Sequence, residues 1–277
     1  KYGQNNIFYL SAHKNHFNNA LQDYNIKIND LKTEISYFGF RLWHFLSSKR
    51  KLLSKNSIEK FDLIIDLQSK LRNTLILKQI PNRHFYSSTL NFKFCSTHKD
   101  YISTKYDNNN IILNLEKLLN DKIVFRKYDT DLIDNKYFTE AKRLLPDRNY
   151  IGFSITQGNA YRKKSWPIEK FLSVANKILK QNKIPVFFIE RNNIDLINKI
   201  KNEIQNVLIP ELDSNLSGPP LVTALSKRLE KAISIDNGIM HMIGLANIPM
   251  TVLFGPTNSK KFSPKIKNIN ILDSKIL

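Results

Sequence analysis

An alternation in the second half of the chain constrains the fold most. Short apolar runs recur at 150–155, 186–189, 207–209, 232–235 and 250–254, separated by segments whose apolar residues repeat with helical period. That succession is the signature of repeated βα units feeding a parallel sheet. Between the first two runs, Ile168, Phe171, Leu172, Ala175, Ile178 and Leu179 fall on one helical face, and Pro167 suits the start of that helix. Leu196, Ile197, Ile200 and Ile204 give the next helix a similar stripe, and Leu221, Val222, Leu225 and Leu229 the one after. Five strands with four crossovers predict a Rossmann-like domain.

The first half carries a weaker version of the pattern. Residues 61–67 read as a buried strand, Leu71, Leu75 and Leu77 mark a following helix, residues 7–10 form a strand-like run, and 89–127 show no clear element. A chain of 277 residues accommodates two such domains. The polar, turn-prone Pro146-Asp147-Arg148-Asn149 places the boundary, giving an N-terminal domain over 1–147 and a C-terminal domain over 148–277.

Composition limits partners and compartment. Lys+Arg 43 against Asp+Glu 24 gives a net charge of +19, a surface that attracts phosphates, anionic lipids or nucleic acid. A hydrophobic fraction of 42% excludes a disordered chain of that charge. The single cysteine, Cys95, excludes an internal disulfide, and no Cys/His spacing matches a zinc site. No apolar run reaches the roughly 18 residues of a spanning helix. Lys1-Tyr2-Gly3-Gln4-Asn5 lacks the order of a signal peptide, so the cytoplasm is the expected compartment.

In open α/β sheets, ligands bind beyond the carboxyl ends of the strands, where loops and helix starts present backbone N–H groups. The distinctive polar residues of the second half fall there. The first strand ends at Ser154-Ile155-Thr156-Gln157-Gly158-Asn159, followed by Arg162-Lys163-Lys164-Ser165-Trp166-Pro167; later strands end at Asp236-Asn237-Gly238-Ile239-Met240-His241 and Gly255-Pro256-Thr257-Asn258. Asp236 and Asn237 suit a helix cap and a ligand contact equally. His241, one turn into an apolar helix, reads alone as a core histidine, and only its nearness to the rim favours a functional role. Arg162, Lys163 and Lys164 read either as a solvated loop or as a diphosphate cradle. Trp166 and Gly255-Pro256 read as structural.

These blocks resemble glycosyltransferase family 9, the ADP-heptose lipopolysaccharide heptosyltransferases and their relatives. Lys164-Ser165-Trp166-Pro167 with Phe171 is similar to the family's Lys-Arg-Trp-Pro block, Asp236 to His241 to its Asp-x-Gly-x-x-His block, and Leu253-Phe254-Gly255-Pro256-Thr257 to its Phe-Gly-Pro-Thr turn. Phe61-Asp62-Leu63-Ile64-Ile65-Asp66-Leu67-Gln68 resembles its Tyr-Asp-x-x-Ile-Asp-Leu-Gln strand, so the likeness spans residues 60–265. It implies an α/β fold of GT-B type, two Rossmann-like domains facing a cleft, with the first domain lacking its first strand. It also implies an inverting, metal-independent glycosyltransferase that takes a nucleoside diphosphate sugar, ADP-linked heptose in the family's pattern, to a lipopolysaccharide-core or other cell-surface glycan.

Carried over by position, Lys164 stabilises the leaving diphosphate, while Asp236, Gly238 and His241 bind the donor. Thr156, Gln157, Asn159, Asn237 and Thr257 line the site. No cofactor or metal is implied, and the general base that the family carries in its first loop has no counterpart here. The family's threonine pair ahead of the lysine is not reproduced, and Glu190 stands where the family has glycine.

Other readings compete. Asp129-Thr130-Asp131 matches the metal triplet of the other large glycosyltransferase fold. The charge alone fits a basic nucleic-acid-binding protein, although no recognised motif supports one. A catalytically silent module that binds nucleotide sugar or glycan is a third. Finally, Phe38, Leu42, Phe45 and Leu46 form a helical stripe beside Trp43, with Lys49, Arg50, Lys51, Lys55 and Lys60 following. This is an amphipathic helix packed on the sheet, or a surface for anionic lipid at the inner face of the cytoplasmic membrane.

Overall fold

In the computed structural model, the described residues are 6–10, 23–26, 29–30, 46, 58–68, 70–96, 114, 128–147, 149–158 and 165–276. Contacts divide the chain into two units, residues 1–22 with 26–127 and residues 23–25 with 128–277.

The described part of the first unit holds two parallel strand pairs. β1 (Phe8–Tyr9) runs beside β2 (Asn29–Asp30), so the run expected at 7–10 is a short strand. β3 (Phe61–Asp66) runs parallel to β4 (Asn82–Ser87), and helix α1 (Leu71–Lys78) connects them as a βαβ unit. Ile76 and Ile80 centre a small core with Phe8, Leu10, Ile58, Phe61, Ile64 and Leu77. The inward face of α1 differs from its leucine spacing: Leu71 and Leu75 are exposed, while Asn73, Thr74 and Ile76 are buried. The cause is polar pairing, because Thr74 Oγ1 donates to the buried carboxylate of Asp66 at 2.5 Å. Of the basic stretch, Lys49, Arg50, Lys51 and Lys55 lie outside the described residues, as do Phe38, Leu42, Trp43 and Phe45. Leu46 is helical and exposed, and Lys60 is exposed.

The second unit begins with a 3-10 turn (Thr130–Leu132) and helix α2 (Asn135–Leu144). It continues through β5 (Tyr150–Ser154), α3 (Ile168–Leu179), β6 (Ile184–Phe187), α4 (Ile194–Glu203), α5 (Pro219–Ser226) and β7 (Lys231–Ile235). It ends with α6 (Gly238–Ala246), β8 (Met250–Phe254), α7 (Ser259–Phe262) and β9 (Ile269–Asp273). All five strands are parallel, in the order β6-β5-β7-β8-β9.

Two expectations change. The run at 207–209 contributes only a bridge from Leu208 to Val186, because Pro210 opens a 3-10 turn and ends the pairing. The fifth strand is instead β9, whose residues 270–272 are exposed at the sheet edge and lack a continuous apolar run. With Leu208 counted, the order is the doubly wound one, whose switch point lies between β5 and β7.

The core follows from the stripes. Phe153 stacks on Phe187 with ring centroids 4.7 Å apart, and Phe171, Leu172 and Ala175 from α3 and Ile197 and Ile200 from α4 pack around them. A Cβ on Gly152 would stand 2.5 Å from Leu229 Cδ1, so glycine is what lets this strand pack at that distance.

The contacts place the division at 127/128 rather than at 147/148. α2 buries Tyr137 and Ala141 and packs on α5. Glu140 accepts two hydrogen bonds from Arg143, at 2.8 and 2.9 Å, and one from Ser214 Oγ at 2.6 Å. Arg228 donates to the carbonyls of Leu145, Pro146 and Asp147, so the turn-prone segment is stitched into the second unit. Asp23–Asn25 also belongs to this unit. Tyr24 is buried, pairs its hydroxyl with Thr223 Oγ1 at 2.8 Å and accepts at its carbonyl from Tyr128 Oη at 2.6 Å.

Candidate functional site

The parallel register sets the site. Ser154 at the end of β5 pairs with Ser234 of β7, and Ile235 with Leu253 of β8, so three loops leave the sheet side by side at its carboxyl edge. Hydrogen bonds lace them together. Asn237 Nδ2 donates to Ser154 Oγ at 2.7 Å and to the carbonyl of Thr156 at 2.9 Å, while its Oδ1 accepts from Met240 N–H at 2.9 Å. Thr257 Oγ1 donates to Asp236 Oδ2 at 2.6 Å, which ties the β8 loop to the β7 loop.

Asn237 is therefore both cap and cross-brace, and its side chain is committed to protein partners. Because Met240 N–H is taken, the N–H groups of Gly238 and Ile239 remain at the positive end of α6. Among the described residues, a Cβ on Gly238 would meet no atom within 4 Å. Nothing in the chain's own packing demands glycine there, whereas a ligand lying on the helix start would. Asp236 is buried just beneath this start. His241 lies exposed one turn along α6, off the core face formed by Met240 and Ile243, so it is not a buried core histidine. Thr156, Gln157 and Thr257 are half-buried and Gly158 is exposed on the same rim.

Lys164 and Asn159 lie outside the described residues, as do Arg162 and Lys163. The block that contains Lys164 is anchored next to it: Trp166 packs edge-on to Phe171 with centroids 4.9 Å apart, and Pro167 caps α3. The structure thus brings together Thr156, Gln157, Asp236, Asn237, Gly238 and Thr257 on contiguous loops. Ser154, which the sequence places on the rim at the end of the first strand of the half without a role at the site, joins them through Asn237.

A second acidic group marks the neighbouring strand end. Burial and the nearby Glu190 carboxylate push Glu211 up to about 7, against the opposing pull of Arg191. The Arg191 guanidinium donates to the carbonyls of Glu211 and Ser214, fastening the loop before α5 to the end of β6. Asp129 and Asp131 have structural partners: Asp129 Oδ1 accepts from Asp131 N–H at 3.0 Å, and Asp131 pairs with Lys227 at 2.9 Å. Among the described residues, no three His, Cys, Asp or Glu side chains group as a metal site, and no helix is long and apolar enough to cross a membrane.

Comparison with known proteins agrees with this architecture. The model of glycosyltransferase family 9 (heptosyltransferase) matches residues 49–276. No curated protein matches the chain in sequence. A glycosyl transferase family 9 structure from Veillonella parvula DSM 2008 aligns with TM-score 0.65 and 18% identity, covering 97% of this chain and 78% of that one. The E. coli ADP-heptose lps heptosyltransferase II aligns with TM-score 0.55 and 15% identity, covering 91% and 77%. UDP-GlcNAc 2-epimerase from Methanocaldococcus jannaschii aligns with TM-score 0.54 and 12% identity, covering 97% and 80%. Identities this low establish the shared α/β fold of GT-B type, and the epimerase shows that fold alone does not select a reaction. The match over 49–276 does select, and the chain belongs to glycosyltransferase family 9, a family of glycosyltransferase enzymes.

Proposed function

We propose that the protein transfers a sugar, a heptose in the reading nearest its family, from an ADP-linked donor to a lipopolysaccharide-core or other cell-surface glycan. The transfer inverts the anomeric centre and uses no metal. The observation that carries this reading is the laced rim of the second unit's sheet, where Asn237 takes up the Met240 N–H at the start of α6, Thr257 holds the buried Asp236, and a Cβ on Gly238 would meet no described atom within 4 Å.

The chemistry needs such a seat. As the glycosidic bond breaks, negative charge grows on the departing diphosphate, and fixed dipoles aimed at that charge stabilise the transition state more than the bound donor. Gly238 and Ile239 supply N–H groups without reorganising. Lys164 supplies a full positive charge, as the family's lysine block implies. Asp236, oriented by Thr257, accepts from ribose or sugar hydroxyls, and His241, Thr156, Gln157 and Asn159 line the donor. The basic stretch Lys49, Arg50, Lys51, Lys55 and Lys60 holds the enzyme at the anionic inner face of the cytoplasmic membrane, where a lipid-linked acceptor resides.

The test compares Lys164→Ala with the native enzyme by calorimetry. ADP binding should weaken about tenfold or more, the scale of a lost charge-assisted hydrogen bond, while adenosine binding changes little. Equal losses for both ligands remove the lysine from the phosphates. A thermal-shift panel of nucleotide sugars with and without EDTA checks the base, the sugar and the independence from metal together.

A further inference from the structure

The first unit contains a buried polar cluster that the donor site does not use. Asp66, Thr74, Ser87 and Thr89 are buried where β3 and β4 end. Asp66 Oδ2 accepts from Thr74 Oγ1 at 2.5 Å and from Ser87 Oγ at 2.9 Å, and Asp66 Oδ1 accepts from Gln68 N–H at 3.0 Å. Thr89 Oγ1 closes the ring with Thr74 at 2.6 Å and Ser87 at 2.9 Å. These bonds fix the backbone of Gln68 to both strand ends and to α1.

The Gln68 side chain is exposed beyond this knot, and its Oε1 accepts from Asn73 Nδ2 at 2.5 Å. The amide pair is only half used. Asn73, 6% exposed, leaves its Oδ1 buried with no hydrogen-bond partner among the described residues, while the exposed Gln68 amide shares only its Oε1 with them. A buried unmet acceptor costs about 1–3 kcal/mol and calls for an explanation. It lies at the carboxyl edge of a parallel pair, where α/β sheets receive ligands.

We infer that Gln68 and Asn73 form a saccharide subsite of the first unit, which binds hydroxyls of the acceptor glycan. A sugar hydroxyl both accepts and donates. It accepts from Gln68 Nε2, and with a small movement of the exposed Gln68 side chain it donates to Asn73 Oδ1. Asp66 is the positioning residue, since its carboxylate holds Gln68 in register without reaching the surface itself. The inference rests on the reading of the chain as a transferase to a glycan, and it adds where the acceptor is read.

The probe is core oligosaccharide released by deacylation of lipopolysaccharide, followed by saturation-transfer NMR, with ADP-heptose calorimetry on the same samples. Gln68→Glu keeps the acceptor for Asn73 Nδ2 and removes only the donor; Gln68→Ala removes both. Each should weaken oligosaccharide binding about fivefold to tenfold with unchanged melting temperature and unchanged ADP-heptose affinity. Oligosaccharide binding that survives in both variants overturns the inference. Native enzyme that binds ADP-heptose but no oligosaccharide also overturns it, while the donor half of the proposed function stands. Oligosaccharide binding that depends on Gln68 without any ADP-heptose binding supports the subsite and sinks the donor assignment instead.

Discussion

The carboxyl edges of the two sheets handle buried polarity in opposite ways. In the second unit the polar groups stand in the loops beyond the strands: Asn237 and Asp236 bind neighbouring loops and leave the helix start open. In the first unit they stand in the strand ends and on the inner face of α1, where Asp66, Thr74, Ser87 and Thr89 satisfy one another. One edge leaves backbone dipoles, which suit a diphosphate. The other leaves a pair of side-chain amides, which suit hydroxyls. The same βα architecture presents backbone dipoles or side-chain amides according to which groups the loops consume.

Three perturbations test that contrast. The largest effect is expected from Asp66→Ala, which strands Thr74 and Ser87 hydroxyls in the interior and should cost about 2–4 kcal/mol in denaturant unfolding. ADP-heptose affinity should stay unchanged, and a parallel loss would show that the two edges are not independent. Asn237→Ala comes next, at about 2 kcal/mol for a lost cap and two lost braces. Here donor affinity should fall with stability, about tenfold by calorimetry, because the start of α6 is no longer held.

The smallest effect is a pH dependence. Glu211 binds its proton up to about 7 in the folded protein but only to the ordinary carboxylate range when unfolded. Its raised value therefore lends stability that is present in acid and lost as pH rises through about 7. Glu211→Gln should raise the melting temperature at pH 8 relative to native by a few degrees, roughly 2–4 °C per kcal/mol, and by less at pH 5. An equal gain at both pH values would mean that the carboxylate is not what titrates.

Much of the second unit was legible because its helices bury apolar stripes and its inner strands are continuous apolar runs. β8 falls on the run at 250–254, and α3 begins at Ile168 directly after Pro167. Edge and polar elements escaped for the complementary reason. β9 is largely exposed, α2 is strongly polar, and the strand expected at 207–209 is cut short by Pro210. The rim blocks were visible as motifs, yet nothing in Asp236-Asn237-Gly238 says that the asparagine amide would be consumed by Ser154 and Thr156, more than eighty positions earlier in the chain. For the same reason the leucines marked the helix α1 but not its inner face, since Thr74 faces inward for a partner at the end of β3.

Tyr24 has a practical meaning for anyone who would dissect this enzyme. A recombinant fragment starting at residue 128 would lack the ring that pairs with Thr223 and the carbonyl that holds Tyr128. Its α5 surface would then be raw where the native protein is sealed. The second unit is thus not a contiguous cassette, and grafts or domain exchanges with relatives need to bring the short upstream stitch along.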